Sequence, residues 1–464
     1  MRTFISSQKK LPGKIVLTVT SPIVVLFSSC GNEGNAQPGA PTIKGSKITW
    51  DVQQNNNWYK PGVNNEFYVL LTLKGGSADE DKARTPLNIS VVLDRSGSMD
   101  GDKIKYAQKA INFLIDQLDS KDKLSIVDYD DVVEILSKQH NVQNKELLKS
   151  KVNLLTPRGS TNLSGGALEG YFQVNSMKQS GYVNRVLLLT DGLANAGISD
   201  PLKLKQIADK KFTGTGIGLS TFGVGADYNE DLLTMMAEAG RGNYYFIGQP
   251  NQIPDIFGKE LKGLLNVVAQ NTYVQFLLPR NIICEQVYGY PFSTDGKMVT
   301  INFNDVYANE EKVILLKLRS DAMQTEPFSI SGTMNYTDAA NFDTKSTSFS
   351  TVFRPSNDQQ KIYSNANKNV EEMITLYRST EELDRVIEDA DKKDYSAART
   401  KASKALDDIK QKQIAMPSAK LKAQEEKLEK YVNEMESIES RSEDEQKIIQ
   451  KGVKEANYKT KKNK

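Results

Sequence analysis

The chain has 464 residues, 38% of them hydrophobic, and a formal net charge of +2. That length accommodates two or three domains, and the near balance of charge makes nucleic acid an unexpected partner. The single histidine, His140 in a polar stretch, rules out an HExxH zinc site and leaves a Ser-His-Asp hydrolase only that one residue to recruit, so no enzyme is expected.

In chain order, Arg2, Lys9, Lys10 and Lys14 precede the apolar stretch Ile15 to Phe27, which closes on Ser28-Ser29-Cys30. A charged region, a hydrophobic region and small residues at a cut site make an export signal over residues 1–29. The stretch is shorter than the roughly 20 residues of a membrane span, and Pro22 interrupts it. The small residues before Cys30 resemble a bacterial lipobox, with Phe27 where leucine is usual and Leu26 adjacent. The resemblance implies lipidation of Cys30 as the first mature residue and anchorage to a membrane of the bacterial cell envelope, periplasmic or surface-facing. Loss of residues 1–29 removes four positive charges and no acids, taking the net charge from +2 to −2. Only Cys284 would remain as a free thiol, within Ile282-Ile283-Cys284, where it reads as a buried core residue.

Residues 30–42, polar with Gly and Pro, read as a tether. Alternation of Ile48, Trp50 and Val52, then of Phe67, Val69, Leu71 and Leu73, predicts strands over 43–84. From 266 to 355 the alternation returns in Val274, Phe276 and Leu278, in Val299, Ile301 and Phe303, in Val313 to Leu318, and in Phe328 and Ile330. A few N-terminal strands alone would be marginal, so the two flanks are expected to form one β-sandwich around an inserted domain.

The insert, residues 85–265, alternates strand and helix patterns, which predicts an α/β domain with a doubly wound, mainly parallel sheet. Ile89-Ser90-Val91-Val92-Leu93 is a buried-strand run ending in Asp94-Arg95-Ser96-Gly97-Ser98. Ile104, Ala107, Ile111, Leu114, Ile115 and Leu118 recur at helical spacing. Leu124 to Val127 and the short edge run Val132 to Leu136 then read as strands. The helical pattern Leu163, Ala167, Leu168, Phe172 follows Pro157-Arg158-Gly159-Ser160-Thr161-Asn162. Val186 to Thr190 is a second buried run, ending in Asp191-Gly192. Leu219 to Val224 and Tyr244 to Ile247 read as strands, with a helix from Leu232 to Ala239 between them, stopped by Gly240.

Ligands of open parallel sheets gather outside the carboxyl ends of the strands, where these loops would bring Asp94, Ser96, Ser98, Thr161 and Asp191 together. Two acids and three hydroxyls are oxygen donors suited to a hard divalent cation. An EF-hand reading fails, because Met99 stands where that loop needs glycine and Lys105 where it needs glutamate. Gly214, Gly216 and Gly218 precede a strand instead of following one, which does not fit a dinucleotide loop, and there is no GxxxxGK[ST] stretch.

The DxSxS run with a separate Thr and a separate Asp resembles the metal-ion-dependent adhesion site of the von Willebrand factor type A (VWA) family, over about residues 85–265. The resemblance implies Ser96, Ser98 and Thr161 as direct ligands, with Asp94 and Asp191 direct or through water. It implies Mg²⁺ first, with Mn²⁺ or Ca²⁺ as alternatives, and a vacant coordination position filled by an acidic side chain of a protein partner. Asp100 and Asp102 could extend the site, as integrins do, or be solvated acids at a helix start.

From Val370 the period turns helical through Met373, Ile374 and Tyr377, then Leu383, Val386 and Ile387, then Tyr395, Ala398, Ala402, Ala405 and Ile409, with a turn at Asp391 to Asp394. Leu421, Leu428, Val432 and Met435 add another amphipathic helix, giving a C-terminal α-helical region over 365–440 and a charged tail over 441–464. Asp394-Tyr395 with Ala398 is faintly similar to a tetratricopeptide helix. The functional expectation is a metal-dependent, adhesion-type protein-binding envelope lipoprotein, with no nucleic-acid partner. The alternative is a scaffold or subunit of an envelope complex assembled through the helical region.

Overall fold

The computed structural model describes residues 48–77, 84–303 and 305–463. The predicted export signal, Cys30 and the 30–42 tether lie outside the described residues. Among the described residues three strands come first, β1 (Ile48–Gln54), β2 (Trp58–Tyr59) and β3 (Asn65–Gly75). The inserted domain follows as β4 (Leu87–Asp94), α1 (Asp102–Gln117), β5 (Lys123–Tyr129), β6 (Val133–Asn141), α2 (Lys145–Asn153), α3 (Leu163–Ser176), β7 (Val183–Thr190), α4 (Pro201–Thr215), β8 (Gly218–Val224), α5 (Glu230–Ala239), β9 (Arg241–Ile247) and α6 (Ile253–Leu265). The chain then returns to strands: β10 (Val267–Leu277), β11 (Ile282–Tyr288), β12 (Phe292–Asp295), β13 (Met298–Asn302), β14 (Val306–Tyr307), β15 (Glu311–Ser320), β16 (Phe328–Asp338) and β17 (Thr344–Pro355). Five helices end it: α7 (Gln359–Ser364), α8 (Lys368–Asp391), α9 (Tyr395–Ala415), α10 (Ala419–Ser437) and α11 (Glu443–Lys461).

In the insert the six strands run in the order β6-β5-β4-β7-β8-β9. All neighbours are parallel except β6, which lies antiparallel on the edge against β5. β4 is buried along its whole length because helices cover both faces. Ile89, Val91 and Leu93 face α1 and α6 through Ile111, Leu114, Phe257 and Leu261. Val92 faces α3 and α5 through Ala167, Tyr171, Leu232 and Met236. Phe172, expected on the packed face of α3, is instead 62% exposed. Glycine and alanine carry the packing there: a Cβ at Gly166 would strike the Tyr129 ring and one at Gly170 the Val92 side chain.

The flanking strands form two sheets, β1-β3-β15-β11 and β12-β13-β10-β16-β17-β2. β3, from before the insert, lies antiparallel to β15, from after it, from Lys74↔Glu311 to Asn65↔Ser320. The β-sandwich interrupted by the α/β domain is thus present. Phe67, Val69, Leu71 and Leu73 of β3 meet Ile314, Leu316 and Leu318 of β15 in its core with Trp50 and Phe276. The opposite faces, Tyr68 and Leu70 of β3 with Val313 and Leu315 of β15, pack under the helical region through Val370, Met373, Ile374 and Tyr377. Cys284 is half-buried, and burial pushes its thiol up to about 11.

The helical region corrects the sequence reading at its end. Residues 441–463, expected as part of a charged tail, are structured: Ser442 and Glu445 form a capping box that starts α11, a further helix of 19 residues. α11 bridges the inserted domain to α8. Lys451 Nζ donates to the Tyr228 carbonyl at 2.7 Å and pairs with Glu230, while Lys454 Nζ meets Glu230 at 2.6 Å and Asp391 at 2.7 Å. Lys462, expected in the charged tail, is buried and pairs with Glu238 at 3.0 Å. The hairpin turn falls where expected, with α8 ending at Asp391 and Asp394 capping α9 through the Ala397 N–H.

Candidate metal-binding site

Strand register puts the two acids side by side. β4 pairs with β7 up to Leu93↔Leu189, so Asp94 and the Thr190-Asp191 pair leave the sheet at the same edge. Asp94 is gripped from behind: its Oδ1 accepts the Ser96 N–H at 2.8 Å and its Oδ2 the Thr190 hydroxyl at 2.5 Å. Burial pushes its carboxyl up to about 6 against those two donors, and the charge of Asp191 adds to the rise. Tyr129 is buried beneath, its phenol raised by burial and then by the Asp94 charge.

A short 3₁₀ turn over Gly97–Met99 swings Ser98 back toward the sheet. Ser96 Oγ and Ser98 Oγ are 3.1 Å apart, and Ser98 Oγ donates to Asp191 Oδ1 at 2.8 Å. Thr161 enters from the loop before α3, with its N–H held by Asn195 Oδ1 at 2.8 Å and its carbonyl accepting the N–H groups of Asn195 and Ala196. A Cβ placed on Gly192 would lie 3.0 Å from Thr161 Oγ1 and 3.5 Å from Ser98 Oγ. The hydroxyls therefore converge on a space that only glycine leaves open. All five sequence-predicted site residues come together at this edge; Asp94, Ser96, Thr161 and Asp191 are buried and Ser98 is exposed.

The loops are locked from below. Arg95 lies within salt-bridge distance of Asp128 at 2.7 Å, Asp130 at 3.3 Å and Glu134 at 2.5 Å, and Arg158 reaches Asp130 and Glu134 from the Thr161 loop. The backbone repeats the connection, with Gly97 N–H bonded to the Gly159 carbonyl at 3.1 Å and Arg158 N–H to the Arg95 carbonyl at 2.7 Å. Gly159 has φ +67°, and a Cβ there would collide with the Asp131 carboxylate.

The matching profile is that of the von Willebrand factor type A domain, over residues 88–259. Those residues form a VWA domain. The chain is 31% identical to YfbK of Escherichia coli (strain K12) over 218 residues, 46% of this chain and 38% of that protein. It is 28% identical to sll0103 of Synechocystis sp. (strain ATCC 27184 / PCC 6803 / Kazusa) over 258 residues, 53% of this chain and 60% of that one. The matched stretches thus cover less than two thirds of either relative. A solved structure titled von Willebrand factor type A from Catenulispora acidiphila superposes with TM-score 0.69 at 14% identity, covering 91% of this chain and 99% of that one. The likeness extends past the VWA domain to the sandwich and helices.

Among the described residues no three His, Cys, Asp or Glu side chains cluster as a metal site. A cation at the VWA edge would thus be held by Ser96, Ser98 and Thr161 hydroxyls as much as by Asp94 and Asp191, an all-oxygen set suited to Mg²⁺, Mn²⁺ or Ca²⁺. The Gly192 gap fits such an ion. Asp100 and Asp102 are exposed, and Asp102 opens the first turn of α1, the position of a solvated helix-start acid. His140 is exposed on β6. Sequence reasoning missed three residues: Thr190, Asn195 and Lys103. Lys103 Nζ lies 2.5 Å from Asp191 Oδ2.

Proposed function

We propose that the chain is a metal-dependent protein-binding module of the bacterial envelope, in which Ser96, Ser98, Thr161, Asp94 and Asp191 hold one divalent cation, Mg²⁺ first. An acidic side chain of a protein partner completes the coordination, so the output is binding and not catalysis. The observation that carries this reading is the convergence of three loops on the Gly192 gap, with Asp94 fixed by two donors behind it. Preorganised ligands make a site without chemistry of its own useful, because the loops need not reorder when cation and partner arrive.

Export and lipidation at Cys30 rest on the sequence of residues 1–30. Among the described residues no helix is long and apolar enough to cross a membrane. The scaffold alternative would need an apolar face on the helical region. The packing of α8 against β3 and β15 weighs against it, because that face is already used within the chain.

The test is capture of partners from envelope extract with and without EDTA, and with Asp94→Ala. Capture should be lost in both arms; capture that survives both removes the reading.

A further inference from the structure

Among the described residues, Lys103 is the one cation placed against the buried carboxylates of the site. It projects from the first turn of α1, and its Nζ lies 2.5 Å from Asp191 Oδ2 and 3.1 Å from the Ser98 carbonyl oxygen. Asp191 itself is fully buried, and its other oxygen accepts from Ser98 Oγ at 2.8 Å. The lysine stem passes close to Gly225, just beyond β8: a Cβ added there would be 3.7 Å from Cε and 3.8 Å from Nζ.

Arg95, next to Asp94 in sequence, turns away to Asp128, Asp130 and Glu134. The donor set toward a divalent cation would otherwise carry two carboxylate charges. With an ammonium at hydrogen-bond distance from one of them, the net charge facing the cation is about one unit. Like charges so close, in a site screened little by solvent, repel strongly.

We propose that Lys103 is a resident counter-cation that sets the affinity of the site. It neutralises Asp191 and fixes its rotamer, so a divalent ion binds more weakly than the two aspartates alone would bind it. The bound ion is then left with more uncompensated positive charge for an incoming carboxylate. Lys103 acts through Asp191, as a positioning and affinity-setting residue and not as a ligand. The inference rests on the cation site proposed above, and it names how occupancy of that site is regulated: filling follows the ambient cation concentration instead of being permanent.

The test titrates Mn²⁺ alone into the full chain by calorimetry, with thermal melts to check the fold of each variant. Lys103→Met removes the charge, Lys103→Gln keeps a donor for Asp191 without charge, and Lys103→Arg keeps the charge. Both neutral variants should bind Mn²⁺ at least about fivefold tighter than the wild type, with Lys103→Arg within about twofold of it, in the range that outer-sphere partners of metal sites command. If Lys103→Gln, folded as the wild type, binds no tighter, charge competition is refuted and the lysine is a steric prop, with the cation site itself intact. If the wild type and Lys103→Gln both take up no Mn²⁺, this inference fails together with the site it rests on. The two failures are thereby distinguished.

Discussion

A methyl group at position 192 would stand between the Thr161 and Ser98 hydroxyls, 3.0 and 3.5 Å from them. Gly192→Ala should therefore lower cation affinity by roughly tenfold or more, read by Mn²⁺ titration, while its melting temperature without metal stays near the wild type. Below the site, burial holds the Asp128 carboxyl at about 6, with Arg95 opposing and Glu134 and Asp130 adding to the rise. For a group raised in the fold, the stabilising contribution is complete below the unfolded value near 4 and is lost as pH climbs through about 6. Asp128→Asn stays neutral throughout. Its stability relative to the wild type should thus grow by about 1–2 kcal/mol between pH 4 and pH 7, measured as urea midpoints; a constant difference would count against the assignment. Four of the five proposed ligands were legible because chemistry, spacing and a buried strand before each acid coincide in Asp94-Arg95-Ser96-Gly97-Ser98 and Thr190-Asp191-Gly192, and the fifth, Thr161, because its loop runs straight into a helical pattern. Lys103 was not: a lysine on the first turn of a helix reads as solvated until the fold shows which carboxylate it meets. Thr190 needed strand register, since only the β4–β7 pairing puts its hydroxyl beside Asp94.

At the scale of elements, α11 is the part that sequence periodicity concealed. Its buried positions include Lys451, Asn457 and Thr460, polar groups whose partners lie far away in sequence: Tyr228 and Glu230 for Lys451, Thr380 and Asp384 for Asn457, Lys427 for Thr460. A hydrophobic pattern cannot announce such a helix, and Lys459, Lys461 and Lys462 made it look like a charged tail. Burial works against the Glu230 carboxylate, but Lys451 and Lys454 hold it below its usual range. Glu230→Gln strands the buried Lys451 ammonium, at a cost of about 3 kcal/mol. Amide exchange should accelerate across 443–461 while α1 stays protected; unchanged protection of α11 would contradict the latch. Phe172 illustrates the opposite error. A strict i, i+4 stripe placed it inward, but close approach of α3 to the sheet uses Gly166 and Gly170 and leaves the bulky ring outside. The helices α2, α4 and α6 were also passed over, although Ile253, Phe257, Leu261 and Leu264 of α6 follow helical spacing and are buried.

For the whole molecule, the interruption of the sandwich by the VWA domain was readable from alternation that stops at Leu73 and resumes at Val274. What could not be read was the double duty of β3 and β15. Their continuous apolar runs, Phe67 to Leu71 and Val313 to Leu316, serve the sandwich core on one face and the helices on the other. This predicts that neither end of the chain is dispensable. Deleting residues 1–77 strips Trp50, Phe67, Val69, Leu71 and Leu73 from the core and leaves β15 with an open edge, so the protein should aggregate or lose its near-ultraviolet circular dichroism. Truncation after Pro355 should do likewise, because Tyr68, Leu70, Val313 and Leu315 lose their cover. In the proposed function, three loops of the VWA edge hold a single divalent ion. Calorimetric titration of Mg²⁺ or Mn²⁺ into the wild type, Asp94→Ala and Ser98→Ala tests it most directly. One ion per chain in the wild type, and none at the same concentrations in either variant, is the predicted result; no uptake by the wild type, or equal uptake by all three, would contradict it.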